Sequence, residues 1–131
     1  MAKNNIYAHT RAQSLPVPAG TVSGDAVKSG GYVGVALTSR QAAPAAGVPN
    51  TSNPIGNASV ALDGVWTVPC ADAVAAVGTA LYITGAGPFT ITTTVGANTL
   101  FGYSADVIKG GVATGGTKGA GAGFINVKIG G

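Results

Sequence analysis

The sequence predicts an all-β fold: one small single domain with an extended N-terminal arm and glycine-rich loops. Three observations lead there. Val, Thr, Gly and Pro dominate where a helical protein would carry Leu, Glu, Lys and Gln, and Glu is absent altogether. Gly (22) and Pro (7) punctuate the chain at short intervals, the rhythm of strands and turns. A hydrophobic fraction of 46% and a net charge of +3 oppose disorder, which needs the reverse balance. The 131 residues suit one domain and leave little room for a second.

Residues 1–14 read as a polar extended arm, with Ile6 and Tyr7 as its isolated apolar side chains. Residues 15–131 form the β domain. Pro16 and Pro18 keep its first stretch extended and away from a sheet interior. Gly24-Asp25 and Gly30-Gly31 mark turns, and between and after them Val33, Val35 and Leu37 alternate with smaller or polar residues as in a half-buried strand. Gln41 to Asn57 reads as a long loop. In Val60 to Val68 the pair Asp63-Gly64 predicts a two-residue hairpin turn. That turn sets Leu62 opposite Val65 and leaves both faces apolar, so Leu62, Val65, Trp66 and Val68 are expected in the core or in a subunit contact.

Ala71 to Val77 fits one helical turn or a weak strand. Leu81 to Thr84, Phe89 to Val95, Leu100 to Val107 and Phe124 to Ile129 read as strands, the last with Ile125, Val127 and Ile129 on one face. Gly110 to Gly123 reads as a mobile glycine-rich loop. A weak internal duplication is also visible. Val17-Pro18 followed by Gly24-Asp25-Ala26-Val27 matches Val68-Pro69 followed by Gly78-Thr79-Ala80-Leu81, and glycine-bearing strands around Gly34 and Gly102 come after each.

The chemistry-bearing residues are few. Gly102 to Asp106 nearly spells a nucleophile elbow around Ser104 but ends in Asp, and the one histidine, His9, sits in the arm. One His, one Cys and four separated Asp offer no metal-ligand spacing, so no metal or other cofactor is expected. Gly115 to Gly123 lacks the Gly-Lys-Ser/Thr ending of a phosphate loop. Trp66, a conceivable stacking platform, fits core or subunit contact better because the other aromatics are spread out. Asp25 is explained by turn chemistry. The seven cations stand at least eight residues apart, unlike a nucleic-acid-binding tail, and no apolar run reaches membrane-spanning or signal-peptide length. A lone Cys70 forbids an internal disulfide. Charged residues are 8% against roughly 25% in an ordinary soluble domain. That poverty leaves apolar surface for another protein to cover.

In order, SGDAVKSGGYVGVALTS, ALDGVWTVP, VGTALYIT, NTLFGYSADV and INVKI make a familiar series. Over residues 15–130 the chain resembles the capsid cement, or head decoration, proteins of tailed bacteriophages. The resemblance implies a small β-barrel or β-tulip-like fold and a non-enzymatic virion protein made in the host cytoplasm. It would sit on the outer surface of the expanded capsid and bridge neighbouring major capsid protein subunits, commonly as a homotrimer. No nucleic acid or membrane partner is implied. Carried over by residue, Gly24, Asp25, Gly34, Asp63, Gly64, Gly78 and Gly102 would be turn and close-packing positions. Asn5, Ile6, Tyr7, His9 and Arg11 would be the arm's contacts with the capsid, by backbone pairing at a sheet edge. The missing Glu and the longer loops at 41–57 and 110–123 depart from the pattern. The rival reading is a receptor- or carbohydrate-binding β-module of a phage fibre or surface structure.

Overall fold

The computed structural model describes residues 12–50, 52–85 and 87–130. Its elements are all strands: β1 (Ala12–Pro16), β2 (Ala26–Ser29), β3 (Tyr32–Ala36), β4 (Asn57–Ala61), β5 (Gly64–Pro69), β6 (Ala80–Thr84), β7 (Thr90–Thr92), β8 (Thr99–Ser104), β9 (Val107–Lys109), β10 (Val112–Thr114) and β11 (Phe124–Ile129). The all-β class is therefore correct. One sheet runs β1-β4-β3-β2, a second runs β5-β11-β8-β6-β7, and β9 and β10 form a separate ribbon. Every strand pair is antiparallel. A single parallel bridge, Cys70 to Ile91, brings the two outer ends of the second sheet together, so that sheet curls on itself without a continuous closing ladder.

The two sheets are two copies of one design. Strands β1, β2, β3 and β4 take the places of β5, β6, β8 and β11, in the same order. The hydrogen bonds match one for one. Gly24 N donates to Ala36 O (2.7 Å) and Ala36 N to Asp25 O (2.8 Å); Gly78 N donates to Ser104 O (2.8 Å) and Ser104 N to Thr79 O (2.9 Å). Leu37 N to Ser59 O is repeated as Ala105 N to Asn126 O, and Val17 N to Gly56 O as Cys70 N to Gly123 O. The match of Gly24-Asp25 with Gly78-Thr79 stands as the sequence suggested. The match of Val17-Pro18 with Val68-Pro69 is off by two residues. Leu15-Pro16 faces Ala58 and Asn57 as Val68-Pro69 faces Ile125 and Phe124.

The glycines shared by the repeats have a steric reason. A Cβ on Gly34 would strike the carbonyl oxygen of Ala61 and lie 2.7 Å from Val60 Cγ1. On Gly102 it would strike the carbonyl oxygen of Lys128 and lie 2.8 Å from Val127 Cγ1. Both are close-packing positions, at the same point of the same ladder.

Two apolar clusters hold the repeats together. The larger lies inside the curl of the second sheet (Val68, Leu81, Ile83, Ile91, Phe101, Ile125, Val127, Ile129) and takes in Ala26 and Val35 of the first sheet. The smaller gathers Leu15, Val17, Val27, Ala36, Ala58 and Val60 on the other face of that sheet. Phe89 packs against both. At Phe101 a shift of register, with Gly102 opposite Leu81 but Leu100 opposite Tyr82, inserts one extra residue and turns it inward.

Four expectations need correction. Asp63-Gly64 is not a hairpin turn. Gly64 has φ +103°, as the turn chemistry requires, but the chain uses it to leave one sheet and enter the other. β4 is already flanked by β1 and β3, and β5 finds all its pairing on β11. Val65 is exposed rather than facing Leu62 across a ladder. Residues 12–14, expected in the arm, belong to the sheet: Ala12, Gln13 and Ser14 are ladder residues of β1, held by backbone pairing with β4 rather than by an apolar period. Residues 1–11, with Asn5, Ile6, Tyr7, His9 and Arg11, lie outside the described residues. Residues 71–77 form neither a helical turn nor a strand; Val74 contributes a single bridge to Lys118. Finally, 110–123 is not simply a loop. Gly110-Gly111 turns β9 into β10, and Lys118 then anchors the rest, its Nζ donating to the carbonyls of Asp72 (3.1 Å), Gly119 (2.6 Å) and Gly121 (2.8 Å). Those bonds use all three donors of the ammonium.

Candidate functional site

A cleft of about 860 Å³ opens where the two repeats meet. One wall is Pro18 to Thr21 with the start of β2 (Asp25, Ala26, Val27); the other is Pro69 to Asp72, Ala122 and Gly123. The segment Pro88 to Thr92 forms the floor with Thr84 and Asn98. That segment belongs to the long β6–β8 connection, which the first repeat replaces by the tight turn Gly30-Gly31. The cleft thus arises from the one place where the repeats differ most in length.

Its walls are stiff. Pro18, Pro69 and Pro88 have fixed φ, and the segment before Pro88 rests on Pro18, since a Cβ on Gly87 would lie 2.6 Å from the Pro18 ring. The half-buried Phe89 and the prolines supply its apolar surface, with the buried Val27, Ile91 and Cys70 behind them. The Cys70 thiol is 3% exposed and faces the carbonyl of Asp72 at 3.8 Å.

Among the described residues, the charged side chains lining the cleft are Asp25 and Asp72. Asp72 Oδ2 accepts hydrogen bonds from Thr92 Oγ1 (2.7 Å), Thr93 N (2.9 Å) and Thr93 Oγ1 (3.2 Å). The Thr92 hydroxyl, then the Thr93 amide and hydroxyl, with Lys118 nearby, hold its carboxyl below the ordinary value against a smaller opposing effect of desolvation. Asp25 Oδ2 accepts from Val22 N at 3.0 Å, closing the turn that starts β2. The backbone adds a further feature. Among the described residues β2 has β3 as its one ladder partner, and since Asp25 O faces Ala36 N, the alternating Val27 and Ser29 also turn toward β3. The amides and carbonyls of Ala26 and Lys28 therefore point outward along a free edge, with the Ala26 end in the cleft.

The sequence-predicted residues fall mostly elsewhere. Asp25 lines the cleft. Trp66 is half-buried against the larger cluster, its Nε1–H donating to Asp63 O at 2.7 Å. Val68 is in that cluster, and Leu62 packs against the smaller one. Gly24, Gly34, Gly64, Gly78 and Gly102 serve turns and close approaches. Ser104 is buried, its hydroxyl donating to Ala76 O (3.1 Å) and accepting from Thr79 N (3.1 Å), so it ties a turn to β8. Among the described residues, no three His, Cys, Asp or Glu side chains come together as a metal site. Phe89, Asp72 and the β2 edge were missed as a site because only folding brings 18–27, 69–72 and 88–92 together. No local signal marks them.

No family model, no curated protein and no solved structure matches this chain.

Proposed function

We propose that this protein is a capsid decoration protein, binding the outside of an expanded phage head as a homotrimer and bridging major capsid subunits. The observation that carries the reading is the ordered series of five motifs along residues 15–130. The surface is compatible with it. Val65 (43% exposed), Tyr103 (45%) and Phe124 (67%) project from the outer face of the second sheet, and Ile108 (70%) and Val112 project from the β9–β10 ribbon. On a chain with 8% charge, such side chains suit burial against a protein partner. Many symmetric copies of one modest contact would give strong adhesion to a shell.

In this reading the arm, through Asn5, Ile6, Tyr7, His9 and Arg11, clamps the capsid, and no catalytic step is involved. The fibre-module alternative is less well supported, because among the described residues Phe89 is the one aromatic ring lining the cleft, where sugar recognition favours several. The test mixes purified protein with bare expanded heads of its phage and measures bound copies per capsid subunit. Saturation at a fixed stoichiometry is expected; no binding would overturn the reading. Deleting residues 1–11 should sharply lower occupancy while leaving the melting temperature of the free protein nearly unchanged. Equal occupancy would remove the clamp from the proposal.

A further inference from the structure

We infer that the cleft between the repeats receives an extended segment of the shell subunit, added as a strand along the free edge of β2. The inference rests on the decoration reading and names where, on this chain, the partner's own backbone enters. Three observations converge on it. Among the described residues no ladder partner meets the outward amides and carbonyls of Ala26 and Lys28, and an extended chain is the ligand that uses such a row. The accessible apolar lining, the half-buried Phe89 with Pro18, Pro69 and Pro88, can take one aliphatic or aromatic side chain from such a segment. Among the described residues the charged groups lining the cleft are both carboxylates. Asp72 already has Lys118 beside it, so it is at the exposed Asp25 that a Lys or Arg on the segment gains where an Asp or Glu loses. The occupant is thus an extended peptide bearing an apolar residue and a basic one. The second repeat shows the same pairing completed within the chain: β6, the counterpart of β2, has its outer edge covered by β7.

The experiment uses the full chain and the same bare expanded heads. Amide exchange of the wild-type protein, free and capsid-bound, is compared at Ala26 and Lys28. Slowing by about tenfold or more on binding is expected if a strand is added. In parallel, Ala19→Trp places a large ring on an exposed wall of the cleft, with Ala45→Trp in the exposed 41–57 loop as control. Ala19→Trp should raise the half-saturating concentration by about tenfold or more with an unchanged melt, while Ala45→Trp should not. Normal capsid binding with unchanged exchange at Ala26 and Lys28 would overturn this inference and leave the decoration reading standing, whatever the Trp variant does. Failure of the wild-type chain to bind heads would overturn both. Protection already present in the free protein and lost on dilution would assign the edge to a second copy, and would likewise overturn it.

Discussion

The two repeats share a ladder and differ in what covers it. Across the first sheet, one row reads Ala12, Ala61, Val35 and Ala26; the matching row of the second reads Val65, Lys128, Tyr103 and Ala80. Val35 is 2% exposed because the second repeat's core closes over it, while Tyr103 at the same ladder position faces outward. Backbone pairing and two glycines fix the shape of each unit. Side chains decide which face of it is interior. The first repeat has become a lid on the second, and the second has kept an outer face.

The largest break in this comparison is a charge at the matched positions. Val35→Asp should cost about 4 kcal/mol or unfold the protein, because it leaves a carboxylate in the core without a partner. Tyr103→Asp should change the stability of the monomer by no more than about 0.5 kcal/mol. Urea denaturation of the two variants reads the difference, and equal losses would mean that both faces are interior.

Gly34→Ala and Gly102→Ala should each cost about 3 kcal/mol, since the new methyl meets a backbone carbonyl that cannot swing aside. Thermal melts of both variants test whether the repeats are equivalent in energy as well as in register. Tolerance at either position breaks the equivalence.

Trp66 and Gln13 also occupy matched positions, opposite Val127 and Val60. Trp66→Ala should cost about 3 kcal/mol through lost packing on the larger cluster, and Trp66→Phe about 1 kcal/mol through the lost bond to Asp63 O. Gln13→Ala should lie within about 0.5 kcal/mol of the parent, since Gln13 is a half-buried polar side chain on the edge strand β1. A large loss at Gln13 would place a core contact on the first repeat where none is drawn.

The smallest effect concerns Asp72, which has no acidic counterpart in the first repeat. Its folded carboxyl titrates below the ordinary 3.8, so the stabilisation it brings is complete above that value and is lost as pH falls through the lower, folded one. Asp72→Asn should therefore lower the melting temperature slightly at neutral pH. The gap from the parent should close in strong acid. A gap that persists or widens there would mean that the loss is steric and not electrostatic.

Much of the fold was legible locally. Ile125, Val127 and Ile129 alternate as the sequence shows and all three are buried, because one face of β11 lies on the core and the period of a strand is two. The duplication was legible in Gly24 and Gly78, since both turns need the same backbone shape. What misled was Asp63-Gly64, where a correct turn signal gave the wrong connection. A dipeptide specifies the bend, and the strand's partner, β11, lies some sixty residues further along the chain.

The sequence by itself determined the β class, the glycine turns and the poverty of charge, because each rests on local conformation or composition. Tertiary structure alone decided which strands pair, that Val35 is covered while Tyr103 is not, and that three separated segments enclose a cleft beside a free strand edge. Those outcomes depend on contacts between residues far apart in the chain. A choice between two otherwise similar faces is made only when the second repeat packs against one of them.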